Sequence, residues 1–135
     1  MQQSELIEYF LLEAEEHLEA LHRAVSELNP SAECETAIED LFRAAHTLKG
    51  SAAIVKLDSI SNVAHRLEDI LEGIKDHKIA LSYEAIEVIS AIIDGLGGMI
   101  SGLSKKDVPT ESGLDLIRKA EEFLSNQFVS AETTT

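Results

Sequence analysis

Residues 41–52 read Leu-Phe-Arg-Ala-Ala-His-Thr-Leu-Lys-Gly-Ser-Ala, and this stretch shows the pattern on which the whole chain is built. Its apolar residues recur every three or four positions, which is the spacing of one face of an α-helix. His46, Lys49 and Gly50 lie between those positions and do not help the helix to fold, since an interior glycine costs about 1 kcal/mol relative to alanine. The stretch therefore predicts an amphipathic helix whose other side carries either a chemical site or an ordinary surface histidine.

The same helical spacing of apolar residues continues almost throughout the chain. It predicts five helices, over about residues 4–28, 35–55, 58–77, 82–103 and 111–128. Short loops between long helices favour antiparallel neighbours. The sequence thus predicts an all-α fold, an antiparallel up-down four-helix bundle with an additional C-terminal fifth helix. We expect one domain over 1–129, a loop over 104–110, and a linker or disordered tail over 130–135.

The fourth predicted helix is apolar over more of its circumference than the others, as expected for a helix that packs on two sides. Gly95, Gly97, Gly98 and Gly102 weaken it, so we expect a close helix contact or a local irregularity there. No uninterrupted apolar run approaches the roughly 20 residues that a membrane helix needs. We therefore expect no membrane insertion.

The charge of the chain limits its partners. The 135 residues carry a formal net charge of −14, which argues against binding to nucleic acid or an anionic membrane. Residues 1–40 hold eleven acidic residues and one basic residue, whereas the basic residues Arg43, Lys49, Lys56 and Arg66 cluster around the motif. This pattern fits either a solvated acidic face or a less acidic patch around His46 that meets an acidic partner.

The single cysteine, Cys34, excludes an internal disulfide framework, and a reducing cytoplasm is the compartment that fits such a chain. The first residues also lack the basic region and apolar core of a signal peptide. We therefore expect a soluble cytoplasmic protein.

A helical wheel places His46 on the shoulder of the second helix, roughly 110–120° from the apolar centre near Ala45. Lys49 follows one turn later on the same side, and Gly50 leaves the neighbouring surface bare. On the third helix, Glu68 lies roughly 100° from the apolar centre. If the second and third helices are antiparallel neighbours, Glu68 reaches the groove beside His46.

Such a pair would make His46 reactive. A carboxylate that accepts a hydrogen bond from one ring nitrogen fixes the tautomer and leaves the other nitrogen as the nucleophile. A nearby lysine would offset the charge of an incoming phosphoryl group. A lone histidine is more often an ordinary surface residue, and His17, His22 and His77 are assigned to that class. No metal site is predicted, since no carboxylate–histidine pairs project into the bundle.

At these residues the chain resembles the histidine-containing phosphotransfer domains, and more narrowly the N-terminal phosphotransfer domain of chemotaxis-type histidine kinases. His46, Lys49, Gly50 and Ser51 fit the pattern H-x-x-K-G-[SA] of that family, and the downstream pattern H-x-x-E is met over 65–68. The opening stretch over 10–18 also resembles the first helix of the chemotaxis subgroup. Residues 54–57 depart from the family, which often has a glycine-bearing turn there.

The resemblance implies a role for each of these residues. His46 would accept the γ-phosphoryl group of ATP from a kinase domain and pass it to an aspartate of a response-regulator receiver domain. Glu68 would orient His46, while Lys49 and His65 would assist around the phosphoryl group. Further site residues are expected to give the partner access, namely Gly50 and Arg43.

The resemblance also implies that the domain needs no cofactor of its own, because ATP and Mg²⁺ belong to the kinase domain. The isolated domain is expected to be a monomer. Three hypotheses remain for the whole molecule: a part of a chemotaxis-type kinase, a free-standing or hybrid-sensor phosphotransfer module, and a non-catalytic helical interaction bundle.

Overall fold

The computed structural model describes residues 2–105 and 113–133, which contain five α-helices and no strand. The helices are α1 (Gln3–Val25), α2 (Glu35–Ile54), α3 (Asp58–Lys75), α4 (Tyr83–Lys105) and α5 (Gly113–Thr133). All five helices that the sequence predicts are present. Most of the predicted loop over 104–110 and the predicted start of α5 at 111 lie outside the described residues.

The first four helices form a ring in which each one packs against the next and α4 closes on α1. A hydrogen bond of 2.8 Å from Nε2 of Gln3 to the carbonyl of Val55 joins the start of α1 to the end of α2. These two helices therefore run in opposite directions, and the contacts of Ser61 with Lys49 and of Lys75 with Glu39 show the same for α2 and α3. The fifth helix packs against α3 and α4, so the predicted up-down four-helix bundle with an additional helix is confirmed.

The core is built from the apolar stripes of all five helices. Along α2 the inward positions Leu41, Ala45, Leu48 and Ala52 are completely buried, as the helical spacing predicts. The other large side chains that are fully buried come from the remaining four helices: Phe10, Leu21, Leu67, Ile70, Leu71, Ile89, Ile92, Ile93, Leu96 and Leu116. The apolar stripe of α2 thereby fixes which of its residues face outward.

The structure ends α1 at Val25, three residues before the predicted end at 28. The hydroxyl of Ser26 donates to the carbonyl of Arg23 at 2.6 Å. The N–H groups of Glu27 and Leu28 then bond to carbonyls only three residues back, which closes turns that are tighter than an α-helix. The predicted end was wrong because apolar spacing does not detect this local competition for backbone hydrogen bonds.

A residue in the left-handed backbone conformation follows the last turn of both α2 and α3. Lys56 has φ 63°, its N–H bonds to the carbonyl of Ala53, and the N–H of Leu57 bonds to the carbonyl of Ala52. This pattern is the Schellman motif, which usually places a glycine at the left-handed position. His77, with φ 60°, plays the same part after α3. The two helices consequently end one and two residues before the predicted ends at 55 and 77.

The backbone of α5 stays helical to Thr133, beyond the predicted end at 128 and into the segment predicted as a tail over 130–135. No glycine or proline occurs between 114 and 133, so no residue there stops the helix. The linker or disordered tail over 130–135 and the boundary of the domain at 129 stay predictions.

The helix α4 is more apolar than a search for unbroken apolar runs indicates. Residues Tyr83–Leu103 have a mean hydropathy of 1.5 over 21 residues, so by length and composition alone they would pass for a membrane span. Charged residues interrupt this stretch, which is why a search for an unbroken apolar run missed it. Its apolar side chains fill the core against α1, α3 and α5, so the hydropathy is weak evidence for a membrane helix.

One of the α4 glycines marks a close helix contact, as predicted. A Cβ at Gly95 would lie 2.4 Å from Cδ1 of Leu116, so α5 packs directly on the backbone of α4 there. Gly97 and Gly98 have open space at the corresponding position. Among these three glycines, the one that the packing requires is therefore Gly95.

Candidate functional site

The packing of α2 against α3 brings together two residues that are 22 positions apart in the chain. Nδ1 of His46 is hydrogen-bonded to Oε2 of Glu68. The imidazole side chain is 64% exposed, whereas the carboxylate side chain is only 9% exposed. The exposed ring of His46 is thus hydrogen-bonded to the buried carboxylate of Glu68.

A second residue of α2, Lys49, binds the same carboxylate. Nζ of Lys49 donates to Oε1 of Glu68 at 2.7 Å, and its side chain is 26% exposed. Both oxygens of Glu68 are therefore in use, one by each of two residues that lie one turn apart on α2. The sequence places Lys49 near the histidine but does not predict this bond. The spacing of three residues between His46 and Lys49 could have indicated the bond, because residues three apart lie on the same side of a helix.

The environment of Glu68 favours its ionised form. Burial on its own would raise the pKa of this carboxyl, but the hydrogen bonds from Lys49 and His46, together with their positive charges, outweigh burial and lower the pKa below its ordinary value. An ionised carboxylate only accepts hydrogen bonds. Nδ1 of His46 must therefore carry the proton that it shares with Glu68.

This assignment leaves Nε2 of His46 with its lone pair. A neutral imidazole has one N–H and one basic nitrogen, and the partner of the N–H decides which is which. With Nδ1 bound to buried Glu68, the basic nitrogen belongs to a ring that is mostly exposed. The arrangement presents a nucleophile at the protein surface.

The surface beside the ring is open. A Cβ at Gly50 would meet no atom within 4 Å, apart from those of its own helix. Arg43 also has an exposed side chain, with its Nη1 3.8 Å from Oδ1 of Asp40. The structure thus places both residues that the sequence predicts for partner access on the exposed surface of α2.

His65 lies on α3 but points to a different partner. Its Nε2 is 3.6 Å from Oδ1 of Asp69, one turn later on the same helix. That aspartate also accepts a hydrogen bond of 3.0 Å from Arg66. The structure therefore groups His46, Glu68 and Lys49, while the described charged contact of His65 belongs to a neighbouring cluster.

An aromatic contact of His46 was missed by the sequence analysis. The ring of Phe42 lies nearly parallel to the imidazole, with an interplanar angle of 12° and ring centroids 6.2 Å apart. Phe42 is four residues before His46, a spacing that puts side chains next to each other on a helix. That spacing was visible in the sequence, but it does not show how the two rings are turned.

Within the two described ranges, no group of three or more histidine, cysteine, aspartate or glutamate side chains is arranged to hold a metal ion. The charged groups of the site are His46, Lys49 and Glu68, a set with a single carboxylate. That set suits the binding and transfer of an anionic group, since it combines a nucleophilic nitrogen with an ammonium group.

Comparison with known proteins assigns this site to a family. The Hpt domain family matches residues 5–101 of the chain. The matched range includes the whole of α2 and α3 and therefore the site itself. The chain belongs to the Hpt family of histidine phosphotransfer domains.

The sequence is also similar to chemotaxis proteins from distant organisms. It is 29% identical to the chemotaxis protein CheA of Treponema pallidum over 120 residues, which cover 89% of the chain and 15% of that protein. Over 90 residues it is 33% identical to CheA of Halobacterium salinarum, covering 67% of the chain and 14% of that protein. The chain thus spans about one seventh of the length of these curated relatives.

Two solved structures share the fold. The solution structure of the histidine phosphotransfer domain of CheA has a TM-score of 0.76 and 26% sequence identity, covering 91% of this chain and 93% of that one. The phosphorylated P1 domain of CheA3 in complex with CheY6 from R. sphaeroides has a TM-score of 0.79 and 21% identity, covering 90% and 97%. The chain resembles the P1 phosphotransfer domain of CheA in both sequence and fold.

Proposed function

We propose that this chain is a histidine phosphotransfer domain in which His46 receives a phosphoryl group and then gives it up. One observation carries the proposal, namely the exposed imidazole whose Nδ1 is held by buried Glu68. A carboxylate is costly to bury, and here it is hydrogen-bonded to Lys49 and to one surface histidine. Membership of the Hpt family supports the same function.

The chemistry follows from the free lone pair on Nε2. That nitrogen attacks the γ-phosphorus of ATP, an N–P bond forms, and the bond from phosphorus to the bridging oxygen of ADP breaks. The ring becomes positively charged while Nδ1 keeps its proton. Glu68 stabilises this developing charge because it is already ionised and already in place.

In the second step the N–P bond breaks and its electron pair returns to Nε2. The phosphoryl group passes to a carboxylate oxygen of an aspartate on a receiver domain, which becomes an acyl phosphate. Lys49 lies one turn from the ring and carries an ammonium group that balances the negative charge of the phosphoryl group. We assign His65 a supporting role at the edge of this surface.

The donor and acceptor are proposed from the relatives. CheA of Treponema pallidum and of Halobacterium salinarum are named as chemotaxis proteins, and the P1 domain of CheA3 has been solved bound to CheY6. We therefore propose a cytoplasmic chemotaxis-type histidine kinase as the parent protein, with ATP and Mg²⁺ bound in its kinase domain and a response regulator as acceptor. A free-standing or hybrid-sensor module would use the same chemistry at His46.

Phosphorylation in vitro tests the proposal. The chain is incubated with radiolabelled ATP and the kinase core of a related chemotaxis-type kinase. We expect an acid-labile, base-stable label on the wild type and on the matched variant His17→Gln, which changes a histidine on another helix. No label is expected on His46→Gln. Equal labelling of His46→Gln would contradict the proposal, as would a wild type that takes up no label.

A further inference from the structure

The contact between Phe42 and His46 gives the imidazole a second restraint. The two rings are nearly parallel, with centroids 6.2 Å apart, which is within the range of favourable aromatic pairs. The hydrogen bond to Glu68 acts in the plane of the imidazole ring, whereas Phe42 acts on its face. The two contacts restrain different motions of one side chain.

Phe42 is itself held from α3. Nζ of Lys75 lies 4.7 Å from the centroid of the Phe42 ring, in a cation–π contact. The same ammonium group is 3.4 Å from Oε2 of Glu39 on α2. Phe42 also packs against the buried core cluster. Its ring is therefore fixed by the bundle, while the ring of His46 is mostly exposed.

An exposed imidazole with one hydrogen bond still has freedom about its χ2 torsion, which has a broad energy well. Rotation about this torsion would break the bond between Nδ1 and Glu68. The proton would then no longer be held on Nδ1. A planar neighbour on the ring face opposes that rotation, because the stacked arrangement is lost as the ring turns. A branched aliphatic side chain of similar size would fill the space without favouring a parallel ring.

We propose that Phe42 is a positioning residue for His46, and that Lys75 supports it by holding the phenyl ring. The inference rests on the proposed function, since it describes how the phosphoacceptor is kept ready. Phe42 touches neither the phosphoryl group nor its donor. It acts by keeping Nδ1 on Glu68 and Nε2 toward the surface.

The test compares Phe42→Leu with Phe42→Tyr, which keeps the aromatic ring, and with Phe123→Leu, which changes a buried phenylalanine on α5. Two quantities are measured for each protein. The ¹⁵N chemical shifts of His46 report which ring nitrogen carries the proton. The kcat and KM of phosphorylation by the kinase core report reactivity and partner binding separately.

In Phe42→Leu we expect the Nε2-protonated tautomer to appear and kcat to fall by about 2- to 12-fold at unchanged KM, which is the loss of one aromatic pair. Phe42→Tyr should retain the wild-type tautomer and kcat. Phe123→Leu should lower only the unfolding midpoint. The proposal is overturned if Phe42→Leu keeps the wild-type tautomer, or if Phe123→Leu changes the tautomer equally. A wild type that is not phosphorylated at all would overturn the proposed function. The tautomer measurement would still test whether Phe42 positions the His46 ring.

Discussion

At the scale of single residues, Glu68 links the fold to the chemistry. It is the one buried charged residue among the residues whose burial is described, and its two oxygens bind His46 and Lys49. The two donors offset part of the desolvation of the carboxylate, and both belong to α2, the helix that carries the proposed phosphoacceptor. The side chain of Glu68 thus couples the stability of the α2–α3 interface to the orientation of the His46 ring.

Replacement of Glu68 by glutamine separates charge from shape. The amide oxygen can still accept one hydrogen bond, but the negative charge that holds Lys49 and the ring is lost. We expect Glu68→Gln to lower the free energy of unfolding by about 1–3 kcal/mol in urea titrations. Phosphorylation of His46 should slow by roughly 10- to 100-fold, as when other orienting partners of a histidine are removed. Glu72→Gln, at an exposed position on the same helix, is the matched control and should change neither quantity.

The pH dependence of stability provides an independent check on Glu68. Burial would raise its pKa, but the bonds from Lys49 and His46 lower it below the ordinary value of 4.5. A carboxyl with a lower pKa in the folded chain stabilises the fold above the unfolded value, and this contribution is lost as the pH falls from about 4.5 through the folded pKa. Between about pH 6 and about pH 3, the free energy of unfolding should therefore fall more for the wild type than for Glu68→Gln. Equal falls would show that Glu68 is not stabilised in its ionised form.

The sequence was sufficient to pair His46 with Glu68, because the two apolar stripes fix the shoulders of α2 and α3. It could not predict that Lys49 binds the same carboxylate, since a long flexible side chain has many directions open to it. The stacking of Phe42 was also missed, because spacing shows that two side chains are neighbours but not how their rings are turned.

At the scale of elements, α2 contains a glycine that its fold does not need. Alanine at Gly50 would meet open space and would favour the helix, so we expect Gly50→Ala to stabilise the protein by about 1 kcal/mol in urea unfolding. The added methyl group would stand on the exposed surface one turn from His46, where we expect the receiver domain to approach. Phosphoryl transfer to a receiver domain should therefore slow even though the protein is more stable.

Two other glycines are the controls for Gly50. Gly98→Ala on α4 also meets open space, so it should stabilise the fold and leave transfer unchanged. Gly95→Ala should destabilise it, by about 1–3 kcal/mol, because the new methyl group overlaps Leu116. A Gly50→Ala protein that transfers the phosphoryl group as fast as the wild type would show that the bare surface is not required for access.

A substitution at the end of α2 should also stabilise the fold. Lys56 occupies a left-handed conformation that glycine adopts without strain. We expect Lys56→Gly to stabilise the fold by up to about 1 kcal/mol, after the greater freedom of glycine in the unfolded chain is taken into account. Urea unfolding measures this, with Lys56→Ala as control, since alanine keeps the strain. A gain in both variants would trace the effect to the lost charge instead.

The helix bodies were predictable because each shows a long apolar period, whereas their ends were not. The Schellman turn at Lys56 forms without the glycine that usually signals it. The turn after Val25 depends on the hydroxyl of Ser26. At both places backbone hydrogen bonds decide the boundary, and the apolar pattern contains no information about them.

At the scale of the whole molecule, the architecture follows from five apolar stripes, of which those of α1 to α4 are joined by short connections. Four stripes close a ring, and the more evenly apolar α4 accepts α5 on its second side. The acidic residues concentrate in 1–40, so α1 carries much of the negative charge. The histidine lies on the next helix, where Lys49 and Arg43 make the surface less acidic. The fold thereby exposes the imidazole of His46, which we propose as the phosphoacceptor, on the helix next to α1.

The central claim is that Glu68 holds Nδ1 of His46 and leaves Nε2 to carry the phosphoryl group. The most direct test is NMR of the phosphorylated chain, using ³¹P and ¹⁵N couplings to locate the N–P bond. We predict a single phosphoryl group on Nε2 of His46, with Nδ1 still protonated. A phosphoryl group on Nδ1, or on any residue other than His46, would contradict the account.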